Sequence, residues 1–224
     1  MEKAINFLKL DFMTARPGFN VATLGIQIAI ITIIFAFSRD LLSVVFLIML
    51  YMDSYVAMPF SIGETANMDG LYTILNVKRR TAVKCRYLYA GVIVFGTATL
   101  SMALVGLGRI AEILFGLNLN TGFAFRFLLI YLVISIIVQA MLLPVYYKFT
   151  IIKSGGISTV PFMAIMVGGF FLIIRFHSQL ERVLYLLGNP MYLGVAVAAL
   201  LAVLVVIVYI SYRMSAVFYL RREF

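Results

Sequence analysis

Six uninterrupted apolar runs constrain this chain more than any other feature in it. They cover residues 19–37, 41–60, 87–107, 127–147, 157–174 and 191–212. A helix needs about 20 mostly apolar residues to cross the hydrocarbon core of a bilayer. Only the second run holds a charge, Asp53. Hydrocarbon supplies no hydrogen-bond partners, so each run must satisfy its own backbone, which a helix does. The ten-residue alternation of barrel strands is absent. The sequence therefore predicts an all-α integral membrane protein with six transmembrane helices in one domain, 1–224. Composition agrees: 64% of residues are hydrophobic and 12% charged, against about 25% charged in soluble domains. So few charges cannot coat a water-facing surface.

Several chemistries are excluded. The dipeptide Gly-Lys never occurs, so there is no phosphate-binding loop of the kind that hydrolyses ATP. One histidine, His177, cannot build a histidine-based metal site, and it falls on a predicted outer loop. No Gly-x-Ser-x-Gly elbow is present. The single cysteine, Cys85, permits no intrachain disulfide. The net charge of +9 does not point to nucleic acid, because the basic residues sit at the ends of the apolar runs.

Lys and Arg are enriched on cytoplasmic loops. With the N-terminus inside, only Arg39, Arg109, Arg126, Arg175 and Arg182 of the 18 basic residues lie outside. Both termini are therefore expected in the cytoplasm. Ser38–Asp40 makes a tight outer hairpin, and Gly108–Arg126 is the longest outer loop. The largest cytoplasmic connection is Ser61–Arg86. Residues 1–16 carry charges throughout, unlike a cleavable signal peptide.

Two cytoplasmic segments read as helical. In residues 2–16, Ile5, Leu8, Phe12 and Ala15 form an apolar stripe, with Lys3, Lys9, Asp11 and Arg16 off it, and Pro17 follows. This predicts an interfacial helix on the inner leaflet. In the second segment, Ser61-Ile62-Gly63-Glu64 matches a capping box and predicts a helix over 61–76. Asn76 can cap a further helix that starts at Lys78. Pro59, Pro144 and Pro161 lie in or near spans, where a missing N–H can kink a helix. Asp53 has two readings, a polar group in a translocation path or dimer contact, or an acid near the cytoplasmic end within reach of headgroups or Arg79. The pairs Gly25/Ala29 and Gly194/Ala198 offer close helix packing.

This layout resembles the permease subunits of ABC-2 type exporters, in particular small six-span permeases whose ATPase is a separate polypeptide. Its most specific part is Glu64 to Tyr89. There Leu75-Asn76-Val77-Lys78-Arg79 stands where the family typically has a stretch like Leu-Pro-Val-Ser-Arg, and a basic run into the third span follows. Asn76 replaces the proline and Lys78 the serine. The tail Tyr219-Leu220-Arg221-Arg222-Glu223-Phe224 is also similar to the family's short basic tails.

The resemblance implies a transport subunit that is not itself an enzyme. ATP and Mg would be bound by a partner ABC ATPase, with no cofactor on this chain. The 61–76 helix would act as a coupling helix, with Glu64, Asn67, Met68, Leu71 and Tyr72 as contact residues. A second permease copy, as homodimer or related heterodimer, completes the expected assembly in the bacterial plasma membrane. The cargo class implied is an amphipathic or hydrophobic peptide, toxin or drug. The cluster Lys78, Arg79, Arg80, Lys84 and Arg86 reads either as an anchor to anionic lipid or as a gate for acidic groups. A peptide-sequestering immunity protein and a secondary carrier or channel subunit are the competing functions.

Overall fold

The computed structural model describes residues 9–13, 21–38, 41–65, 79–116, 119, 121–149, 168, 175 and 190–221. The elements are α1 (Val21–Ser38), α2 (Leu41–Ser54), a 3-10 turn (Tyr55–Ala57), α3 (Met58–Thr65), α4 (Arg79–Phe115), α5 (Thr121–Lys148) and α6 (Pro190–Leu220). Among the described residues no strand occurs. Among the described residues four helical stretches are long and apolar enough to cross a membrane: Leu41–Gly63, Arg79–Phe115, Thr121–Lys148 and Val197–Leu220. A shorter apolar stretch, Gly25–Phe37, lies in α1. The chain is thus an all-α membrane protein. The expected span at 157–174 lies outside the described residues.

Among the described residues a largely apolar interior encloses several polar groups, and the exterior is apolar as well. Asp53, Arg86, Ser101, Ser135, Gln139, Ser211 and Ser215 are buried, while Ile113, Leu114, Val205 and Phe115 are largely exposed. Water would reject that surface, whereas lipid solvates it. α5 packs against α2, α4 and α6, and α1 packs on α2. One apolar cluster joins Leu41, Val45 and Met49 of α2 to Phe127 and Tyr131 of α5. A second, nearer the basic end, joins Val56 and Phe60 to Val83, Cys85, Tyr147 and Tyr219.

Two expectations are corrected here. α4 has 37 residues, about 55 Å of helix against about 30 Å of hydrocarbon. It therefore runs beyond the predicted third span and takes up much of the expected outer loop Gly108–Arg126. That connection shrinks to residues 116–120. Gly116, at φ +65°, ends α4, and its N–H donates to the Glu112 carbonyl at 3.0 Å. This is the left-handed helix stop that glycine favours. The Glu112 carboxylate then accepts from the backbone N–H groups of Leu119 and Thr121 and from the Thr121 hydroxyl. It also accepts from Arg109. One carboxylate thus ties the end of α4 to the start of α5, where the helix dipole favours negative charge.

The second correction concerns Ser61. It lies inside α3 and caps no helix. An N-cap needs non-helical backbone angles. Here the chain passes from α2 to α3 without leaving the helical region, at Ser54 (φ −64°, ψ −27°) and Met58 (φ −57°, ψ −47°). The small-residue pairs Gly25/Ala29 and Gly194/Ala198 face outward, and among the described residues a Cβ at Gly25 or Gly194 would meet nothing within 4 Å.

The close approach is at Gly108. A Cβ there would sit 2.7 Å from Leu41 Cδ2 and 3.3 Å from Thr121 Cγ2. Leu41 ends in a flexible group, so Gly108→Ala should be tolerated with a small shift. Gly108→Leu should destabilise by about 1–3 kcal/mol, the usual cost of overpacking. Thermal unfolding of the detergent-solubilised chain measures both.

Candidate functional site

Asp53 is 3% exposed. Ser135 donates its hydroxyl to Asp53 Oδ2 at 2.5 Å, and Tyr131 donates to the same oxygen at 3.3 Å. Gln139 Nε2 donates to the Asp53 backbone carbonyl at 3.2 Å. Residues 131, 135 and 139 recur every four positions, so they share one face of α5. Arg79, the partner considered for Asp53, is elsewhere. Its guanidinium donates to the Leu220 carbonyl at 3.1 Å and the Tyr219 carbonyl at 3.5 Å. A cation is favourable at that helix C-terminus.

Two prolines shape the basic end of the bundle. A proline has no N–H to give to the carbonyl four residues earlier. Pro59 therefore cannot donate to Tyr55. The Tyr55 carbonyl takes the Met58 N–H instead, which makes the 3-10 turn. It also accepts the Tyr89 hydroxyl from α4 at 3.2 Å. Gln27 of α1 donates to the Tyr55 hydroxyl at 3.1 Å. Pro144, inside α5, cannot donate to Ala140. Ser211 of α6 donates to that carbonyl at 2.5 Å. Ser211 has one proton, so Tyr87 must donate to Ser211 (2.5 Å), and Ser215 to Tyr87 (2.8 Å). The freed carbonyl thus sets the direction of a three-hydroxyl relay across α4, α5 and α6.

Arg86 sits between the same two proline-broken helices. Its guanidinium carbon lies 4.2 Å from the centroid of Phe60 on α3 and 5.8 Å from that of Tyr147 on α5. Such stacking attracts through the ring quadrupole. Residues 9–13 close over this end. Asp11, expected on the polar face of the interfacial helix, is 1% exposed, and Phe12 packs edge-on to Tyr89 at 5.0 Å. Asp11 turns inward because Arg86 offers it a positive partner. Burial pushes its carboxyl up to about 6, against the opposing pull of Arg86.

The basic cluster therefore divides by role. Arg86 is buried, Arg79 holds the end of α6, and Arg80 and Lys84 are exposed. Lys78 and the docking residues Asn67, Met68, Leu71 and Tyr72 lie outside the described residues. Glu64 falls in the last turn of α3. Composition and periodicity do not single out Gln27, Tyr87, Tyr89, Ser211 or Ser215. A partial signal for them exists, since each proline marks a carbonyl four residues back that needs a donor.

The described residues form a helical membrane protein with hydrogen-bonded polar groups between its helices. The chain belongs to the ABC-2 transporter family, whose model, described as ABC-2 family transporter protein, matches residues 6–219. No curated protein and no solved structure matches it significantly. The family makes it the membrane permease of an ABC transporter, a multi-pass transmembrane component that pairs with an ABC ATPase rather than an ATPase itself.

Asp53→Leu takes the acceptor away from two hydroxyls and should destabilise the chain by about 1–3 kcal/mol. Asp53→Asn keeps an acceptor and should cost less. Thermal unfolding separates the two. Asp11 titrates with a raised pKa, so its contribution to docking of residues 9–13 is full below about 3.8 and fades as pH rises through about 6. Hydrogen-exchange protection of 9–13, corrected for intrinsic rate, should fall across that interval. Asp11→Asn should flatten the profile.

Proposed function

We propose that this permease exports an amphipathic or hydrophobic cargo, such as a peptide, toxin or drug, from a bacterial cell. A separate ATPase would dock on residues 61–76, with Glu64, Asn67, Met68, Leu71 and Tyr72 in the contact. ATP and Mg stay on that partner. Two permease copies, identical or related, enclose the path, and Arg80 and Lys84 meet anionic lipid at the cytoplasmic face.

One observation carries this reading. Helix runs from Leu41 through the 3-10 turn to Thr65, so the docking segment continues directly from the helix that bears Asp53. Movement of an ATPase against that segment would act as a lever on the span. The break at Pro59 gives the lever a bending point. The apolar exterior suits a cargo that partitions into lipid.

The test is a pull-down of the tagged chain in mild detergent, with ATP hydrolysis assayed on the eluate. An ATPase subunit should co-purify, and Leu71→Glu or Tyr72→Glu should release it. If no ATPase is retained across several detergents and uptake into vesicles follows an ion gradient, the docking reading fails and Asp53 becomes the centre of a carrier.

A further inference from the structure

The α4 segment that enters the bundle at the basic end is joined to both proline breaks. Tyr89 donates to the Tyr55 carbonyl that Pro59 cannot serve. Tyr87 donates to Ser211, and Ser211 donates to the Ala140 carbonyl that Pro144 cannot serve. Arg86, in the same turn of α4, stacks on Phe60 of one broken helix and reaches Tyr147 of the other. A Cβ on Gly63 of α3 would come within 3.2 Å of the Arg86 guanidinium, so that side of the contact is close as well.

Lipid makes such bonds selective. Apolar helices gain little from touching each other rather than lipid tails. A carbonyl without a donor has no water to turn to. The Ala140 carbonyl therefore holds whichever neighbour brings a hydroxyl, while the Tyr55 carbonyl, which keeps the Met58 N–H, takes the Tyr89 hydroxyl on its second lone pair; both hydroxyl routes lead back to α4. Two proline sites left unbridged would leave α3 and α5 free to move apart. Two proline sites bridged to one helix do not.

We propose that Tyr89 directly, and Tyr87 through Ser211, are positioning residues that hold the proline breaks of α3 and α5 to α4. A displacement at Thr65 then passes through α4 to the inner half of α5 instead of ending at the Pro59 bend. The positioning stands on geometry alone. The transmission step rests on the docking reading given above.

The first arm of the test needs no ATPase. Thermal unfolding is measured on the full chain in detergent for Y89F, S211A, P59A, P144A and their pairs. Tyr89→Phe and Ser211→Ala should each lower Tm by about 2–4 °C, as loss of one hydrogen bond does in a chain of this size. In a Pro59→Ala background the alanine N–H competes with Met58 and Tyr89 for the two Tyr55 lone pairs, so Tyr89→Phe should cost less than it does in the parent. Pro144→Ala should absorb Ser211→Ala. The crossed pairs, Y89F with P144A and S211A with P59A, should be additive. Additivity in the matched pairs would overturn the positioning.

The second arm uses the ATPase-bound complex in vesicles, with spin labels at the exposed positions Ile113 and Lys148 and a non-hydrolysable ATP analogue as probe. Cys85, with no exposed surface, stays unlabelled. The analogue should change the label distance in the parent, and Tyr87→Phe or Tyr89→Phe should at least halve that change while the ATPase stays bound. An undiminished change would overturn the transmission. Loss of the ATPase itself would count against docking, and the thermal cycle alone would then decide the positioning.

Discussion

A backbone carbonyl in hydrocarbon must find a donor, because its alternative is no hydrogen bond at all. The basic end of this bundle is organised by that requirement. Pro59 and Pro144 each withhold an N–H, from Tyr55 and Ala140; Tyr55 keeps the Met58 N–H and gains the Tyr89 hydroxyl, and Ala140 takes the Ser211 hydroxyl. The two hydroxyl bonds fix where α4 and α6 stand. Ser211 faces α5 because Ala140 needs it, and Tyr87 faces Ser211 because the serine proton is already given. Helices with no hydrophobic reason to meet thereby acquire a specific arrangement.

The polar groups at mid-bundle follow the same logic with a different acceptor. Asp53 is expensive within a span, and it is held by Ser135 and Tyr131 of α5, with Gln139 on its backbone. Those three donors lie along one face of α5, the helix that packs on α2, α4 and α6. α5 therefore carries the mid-span polar contact and Pro144 on one continuous helix. At the opposite end Glu112 bonds the start of α5 to α4, so α5 is tied along its whole length.

For a permease this distribution has a mechanical meaning. The helix bearing Asp53 continues to Thr65, and its one bend is bridged to α4 through Tyr89. The N-terminal residues 9–13 cover the same corner, with Asp11 beside Arg86 and Phe12 on Tyr89. The corner thus joins the chain's first helical segment, its second and third spans and, through Ser211, its last helix. A force arriving at the cytoplasmic side meets a linked structure there, not four separate helix ends.

The sequence by itself determined the class and the place of most spans, though not their limits. Runs of apolar residues near twenty long have no other stable form in a membrane, and α1, α2, α4, α5 and α6 fall on five of the six predicted runs. It also marked the prolines, the single acid within a predicted span and the layout that resembles its family. Tertiary structure decided what those marks do. The Ser61 capping box was legible but did not form, because the preceding helix had not ended and Ser61 never acquired an N-cap backbone. Asp11 read as a surface charge, since a short stripe cannot reveal that Arg86, 75 positions away in the chain, would face it. Arg86 read as a lipid anchor for the same reason. Periodicity reports which residues share a face of one helix. Which neighbour that face meets depends on long-range pairing between helices, and in lipid that pairing is chosen by a few hydrogen bonds and close contacts such as Gly108 on Leu41 that leave no periodic trace.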